Sequence, residues 1–333
     1  MKALLAVLAV LAAVGSGAWA LGARSTERAI ESWLDARAAE GWLVNVGAVD
    51  TGGYPTRYTT GFTDLELADP DTGWVWTAPD FTLDQQVWAL DRITATWPAE
   101  QTLASPMERL RITSDELTAD LDVAFRENLA LDASAMVMRG MVIESDSGER
   151  MAVAEARSQV TRQAGQAARY DVVFTARDVT PPAALARLLD PERALPATME
   201  QMRYVAEMAF DRPWDLSALE VSRPQITQVA LEEMQASWGP MLLRAAGTLD
   251  VDAEGRASGE IAVRAENWQQ MLEVSSRAGL VAEAVRDTVE AALRFVARLS
   301  GRPEDIDATL RFDRGFVFLG PIPLGEGPRF VLR

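Results

Sequence analysis

The residues with the most obvious chemical potential are carboxylates. Asp250-Val-Asp252-Ala-Glu254-Gly255 sets oxygen ligands on alternate positions ahead of a glycine, as a calcium loop opens. Such a loop closes on a bidentate glutamate at its twelfth position, where this chain carries Ile261. The flanks alternate as strands rather than as helices, so a hairpin turn is expected here and no metal. Asp120 with Asp122, and Asp305 with Asp307, place two carboxylates on one face of a strand, the ordinary solvated face. Paired carboxylates are the remaining route to catalysis, in the manner of a hydrolase acting on polysaccharide. With 49 acidic residues, no spacing singles out such a pair.

What the alphabet lacks is more decisive. There is no histidine and no cysteine, and Lys2 is the single lysine. The usual general base near neutrality and the commonest ligand of zinc, copper and haem iron are therefore missing. Schiff-base chemistry, serine–lysine dyads and the phosphate-loop lysine fall with the lysines. No glycine-rich cradle stands between a strand and a helix. A non-enzymatic chain without a cofactor is expected. A net charge of -17 repels nucleic acid, which is excluded as a partner.

The tryptophans offer binding rather than reaction. Of 10, Trp42, Trp74, Trp76, Trp88 and Trp97 crowd into one region. Trp74 and Trp76, two apart, would share a strand face that could grip an acyl chain or stack on a sugar ring. Cross-strand core packing explains the same pattern.

The elements that must position these residues begin with an uncharged run, Ala3 to Ala23, preceded by Lys2. As a helix it is about 30 Å long, enough to span a bilayer. Residues 1–23 are expected to form a membrane anchor or a signal peptide. In the second case Gly15-Ser16-Gly17 is the breaker and Ala18-Trp19-Ala20 the cleavage site. Residues 24–41 follow as a juxtamembrane helix, with Ile30, Trp33 and Leu34 at helical spacing and Gly41 as its stop.

From Trp42 the period becomes two. Leu117, Ala119, Leu121, Val123 and Phe125 alternate with mostly polar residues, as do Ile93, Ala95 and Trp97, and Tyr170, Val172 and Phe174. Turn clusters at Gly52–Pro55, Asp69–Gly73 and Ser145–Gly148 punctuate the runs. A first β region over 42–178, a helical insertion over 179–219 broken near Pro191 and Pro196, and a second β region over 220–333 are expected. The second region holds a hairpin turning at Ala253-Glu254-Gly255 and helices near 267–277 and 280–299, the first capped by Asn267. The stripe of the later helix is Val281, Val285, Val289, Leu293 and Val296. The fold class is α+β: a mainly antiparallel meander, one curved sheet with helices on one face, or two similar lobes.

Ala39-Glu-Gly-Trp42, Gly53-Tyr-Pro-Thr-Arg57, Gly61-Phe-Thr-Asp-Leu65, Asp69-Pro-Asp-Thr-Gly-Trp74, Trp97-Pro-Ala-Glu-Gln-Thr-Leu103 and the closing Gly315-Phe-Val-Phe-Leu-Gly-Pro-Ile-Pro-Leu-Gly325 resemble domain-of-unknown-function family 2125 of alphaproteobacterial envelope proteins. The resemblance covers nearly the whole chain and implies an envelope protein with an amino-terminal membrane segment. It assigns no catalytic or ligand residues. A second resemblance, to AsmA-like envelope proteins, rests on Gly247-Thr-Leu-Asp-Val-Asp252, Gly255, Gly259-Glu-Ile261 and Asn267-Trp268. It implies an elongated β groove associated with lipid movement.

The expectation is therefore an inner-membrane protein with a single amino-terminal span and a periplasmic body. The alternative is a periplasmic protein released by cleavage near Ala20. The body is expected to act as a binding module for a lipid or other apolar ligand. A structural or protein-interaction role in the envelope is the alternative, and a carboxylate-based hydrolase of envelope polysaccharide the third.

Overall fold

The computed structural model describes residues 2–70, 72–300 and 303–332, with side chains from Val14 onward except at 219, 299 and 300. Asp71, within the expected turn Asp69–Gly73, lies outside the described residues, and so do the side chains of the first part of the expected anchor. The chain divides into two units: residues 1–122 with 136–148, and residues 123–135 with 149–333.

The first unit opens with helix α1, Lys2–Ala39. The expected anchor and juxtamembrane helix are thus one uninterrupted element, because Gly15 and Gly17 lower helix propensity without ending it. Among the described residues no helix is long and apolar enough to cross a membrane. Strands β1 (Leu43–Asn45), β2 (Ala48–Gly52), β3 (Arg57–Ala68), β4 (Val75–Gln86), β5 (Ala89–Thr96), β6 (Glu100–Ala104), β7 (Arg109–Thr113), β8 (Glu116–Ala124) and β9 (Ala130–Ser145) follow.

β3 and β4 form a long antiparallel ribbon from Arg57 opposite Gln86 to Ala68 opposite Val75. Asp69 closes its turn, accepting from the Thr72 hydroxyl at 2.8 Å and from the Gly73 amide at 2.8 Å. β1 and β2 share the other edge of β3. β4 pairs with β6 near its start and with β5 near its end. Each of these pairings is antiparallel, as short strands joined by tight turns favour.

The second unit continues as a meander of β10 (Arg150–Arg162), β11 (Arg169–Thr180), β12 (Met199–Phe210), β13 (Ile226–Trp238), β14 (Met241–Val251), β15 (Ala257–Glu266), β16 (Asp305–Asp313), β17 (Phe316–Leu319) and β18 (Ile322–Glu326). Each strand pairs antiparallel with the next. Short helices α2 (Ala183–Leu189) and α3 (Ser217–Glu220) sit in two connections. Helices α4 (Trp268–Arg277) and α5 (Glu283–Ser300) fill the long crossing from β15 to β16.

One expectation fails within the helical insertion: helix is confined there to 183–189 and to the start of α3 at Ser217, while 199–210 is strand β12. Met, Glu, Arg and Ala favour helix locally, but β12 is paired along both edges, to β11 and β13. Ladder bonds on two sides outweigh the few tenths of a kcal/mol per residue that propensity supplies.

Asn267 does precede α4, but with φ +57 and no side-chain cap; its amide instead donates to the Pro240 carbonyl. The stripe of α5 ends on buried Ala297 rather than Val296, which is 38% exposed. The 3.6-residue period places Ala297, not Val296, in line with Val289 and Leu293.

Two aromatic devices pin the second unit. Tyr170 has no exposed surface, and its hydroxyl accepts from the Trp214 amide at 3.0 Å. Phe210 packs edge-on against both rings, at 5.8 and 5.6 Å. Trp268 is 1% exposed and donates from Nε1 to the Pro303 carbonyl at 3.0 Å, fixing the start of α4 over the sheet.

Candidate functional site

Alternation along β12–β16 brings one row of side chains into register across five strands. Tyr204 faces Met234, Met234 faces Ala245, Ala245 faces Val263, and Val263 faces Ala308. At about 4.8 Å per strand this row is roughly 19 Å long. Helices α4 and α5 lie over the same face, presenting Trp268, Leu272, Val289 and Leu293. Between floor and roof is a cavity of about 490 Å³.

Its lining is almost wholly hydrocarbon. Apart from Tyr204, the polar residues bordering it are Ser275 and Glu326. Alanines at 245, 265 and 308 stand where larger residues would fill the space. Leu280, 68% exposed, and the exposed Glu326 and Pro328 also border the cavity, so its mouth lies at that rim. The Tyr204 hydroxyl makes no hydrogen bond among the described residues, and burial pushes its phenol above the usual value. With Tyr204, Ser275 and Glu326 as the few polar side chains among hydrocarbon walls, the physical capacity of the pocket is to remove apolar surface from water.

None of the five expected tryptophans lines this cavity. Trp76 and Trp97 join Phe62 and Phe81 in an aromatic cluster of the first unit, with centroids 5.3 to 5.7 Å apart. Trp76 Nε1 donates to buried Gln101 at 2.7 Å. Trp74 and Trp88 are 43% and 68% exposed. Trp42 is half-buried just after α1, its amide bonded to the Arg37 carbonyl at 3.1 Å. The five do not converge on one site.

The carboxylates resolve into local structure. Asp252 Oδ1 accepts from the amides of Glu254 and Arg256, at 3.0 and 2.8 Å, which closes the β14–β15 hairpin as an Asx turn. Asp120 accepts from Thr94 at 2.6 Å, and Thr59 donates to Asp84. Asp84 and Asp120 both stand opposite Thr94, on the strands either side of it, about 10 Å apart by strand spacing.

Sequence reasoning missed the cavity because its walls come from 204 to 330 and each wall residue reads as ordinary core. The signal that could have found it is the set of small alanines at inward strand positions between larger neighbours. No curated protein and no solved structure matches the chain. Over residues 19–328 the chain matches the family model described as "Uncharacterized protein conserved in bacteria (DUF2125)", and it belongs to that family.

Proposed function

We propose that this protein is a membrane-tethered envelope binding module, and that its second unit holds the hydrocarbon part of a lipid beneath α4 and α5. The observation that carries this reading is the apolar cavity of about 490 Å³ over the Tyr204–Ala308 row. Its size falls within the roughly 300–1,000 Å³ of small-molecule sites. Its walls present apolar surface that no side chain of the unit covers, and covering such surface is worth about 25 cal/mol per Å². Water is a poor occupant, because it finds few polar partners there. A dozen methylenes at about 0.8 kcal/mol each supply roughly 10 kcal/mol of burial, so a single acyl chain is a sufficient ligand.

The test is lipid extraction and native mass spectrometry of the purified chain, with a fluorescent long-chain amphiphile as the titrating probe. Ala308→Trp fills the floor and should weaken the probe's binding at least tenfold, a loss of about 1.4 kcal/mol or more. Ala245→Leu does so with a smaller change of volume and guards against misfolding. Recovery of a lipid-free chain that binds no probe, or equal binding by wild type and both folded variants, would overturn the reading.

A further inference from the structure

The first unit carries an exposed aromatic end that the cavity does not explain. Tyr54, at the tip of the β2–β3 loop, is 55% exposed; Trp88, at the β4–β5 tip, is 68% exposed; Leu90 beside it is 42% exposed. The two tips adjoin, since the Val87 amide donates to the Thr56 carbonyl at 3.1 Å and Arg57 pairs with Gln86. Helix α1 docks at the same end. Ser16 Oγ is 2.6 Å from the Tyr54 hydroxyl, and Trp19 Nε1 donates to the Arg57 carbonyl at 2.7 Å. Farther along the helix, Glu27 accepts from the Thr51 amide at 2.9 Å.

These contacts fix the helix direction. As residue numbers rise the helix runs from the tips toward Thr51, so the residues before Ser16 project past the tips. Leu21, 69% exposed, is left bare on the docked part, and Arg24 is the first charge after the run.

Helix length then constrains depth. The uncharged run Ala3–Ala23 measures about 30 Å as a helix, the thickness of a bilayer's hydrocarbon core. Its last third is fastened to the body, and residues 2–15 alone reach only about 20 Å. Burying the whole run therefore draws the two tips into the headgroup layer. Tryptophan and tyrosine are the side chains suited to that layer, with an apolar ring and one polar atom.

We propose that Leu21, Tyr54, Trp88 and Leu90, exposed at the end where Trp19 docks, form a seat by which this end of the first unit rests in the interfacial layer of a lipid bilayer. The seat shares the membrane tether of the functional reading above and is independent of its cavity.

The absence of cysteine makes the test direct, because each introduced cysteine is the only one in the chain. An environment-sensitive thiol probe is placed on full-length V14C, Y54C, W88C and M107C, each reconstituted in phosphatidylcholine vesicles with and without brominated acyl chains. Met107, 95% exposed in the first unit beyond the start of β4 and so at the opposite end of the ribbon from Trp88, is the reference. The seat requires blue-shifted emission and severalfold stronger bromolipid quenching at 54 and 88 than at 107, with position 14 quenched as well. Quenching at 14 together with water-like emission at 54 and 88 overturns the seat while leaving the tether. Water-like emission at 14 as well overturns both.

Discussion

Gly22 of α1 faces the hydroxyl of Tyr58 so closely that a methyl group at that position would overlap the phenol oxygen and ring. Tyr58 is 8% exposed and stacked on Trp19, with ring centroids 5.9 Å apart and planes 25° apart. Burial and the stacked indole limit how far the ring can move aside. Helix and sheet thus meet at a position that uses glycine's lack of a side chain.

Gly22→Ala should cost about 1–3 kcal/mol through overpacking. Gly17→Ala, with nothing within 4 Å of its added carbon, should gain up to about 1 kcal/mol of helix propensity. Thermal melts of the two variants should therefore shift in opposite directions. A destabilised G17A matched to G22A would mean that the close contact with Tyr58 is not what limits position 22.

Ser16 and Trp19 lie on the amino-terminal side of the peptide bond after Ala20, where a signal peptidase would cut. Cleavage there would remove the Trp19 ring from its contacts with Tyr54 and Tyr58 and uncover the buried Tyr58. A chain beginning at residue 21 should melt several degrees lower than the full chain. Trp19→Ala should reproduce most of that loss, about 2 kcal/mol from lost apolar burial and ring packing. Intact mass of the native protein should accordingly retain Trp19. A truncated chain as stable as the full one would remove the structural reason for keeping the leader.

The meander was legible because period-two patterns such as Tyr170-Val172-Phe174, and turns such as Asp252–Gly255, are local properties of the chain. β12 was not, since Met199–Phe210 carries good helix formers and becomes a strand only through partners on both edges. β18 was hidden by Pro323 and Gly325, which a strand tolerates beside a bulge such as the register shift at Val317 and Phe318. The tryptophans drew attention to the first unit, where Trp76 and Trp97 are cross-strand packing. The cavity depends on what alanines leave unfilled, and absent volume has no residue to announce it.

The pH dependence of stability should have two limbs. Glu207 is held below its ordinary value of 4.5, first by the Gln163 amide, 2.9 Å away, and then by Arg169. Asp215 is held below 3.8 chiefly by the Ser217 hydroxyl. Depressed carboxylates contribute stability that is complete above those ordinary values and is lost as pH falls through the lower folded ones. Tyr170 and Tyr204 are raised above 10 by burial, so their contribution is complete below 10 and is lost as pH rises through the folded values. Denaturant midpoints across pH should fall at both ends, with no histidine to add a step near neutrality. Glu207→Gln should shallow the acid limb alone, and Tyr204→Phe the alkaline limb alone. An unchanged acid limb in E207Q would assign the acid loss to other carboxylates.

Trp268 is where the roof is fixed to the sheet, so it links the stability of the second unit to the cavity. Trp268→Ala removes a side chain that is 1% exposed and should cost about 3–5 kcal/mol. Trp268→Phe keeps most of the packing but leaves the Pro303 carbonyl without its 3.0 Å donor, a loss of about 1–3 kcal/mol. Because α4 carries Leu272 over the cavity, loosening it should admit more of a fluorescent apolar dye in W268F than in wild type. A ligand that binds only the folded cavity stabilises it by mass action, about 2.7 kcal/mol at a hundred times its dissociation constant. A long-chain amphiphile at that excess should therefore return the W268F melting temperature to near the wild-type value. If W268F is destabilised as expected and saturating amphiphile leaves its melt unmoved, the space beneath α4 and α5 does not hold an acyl chain.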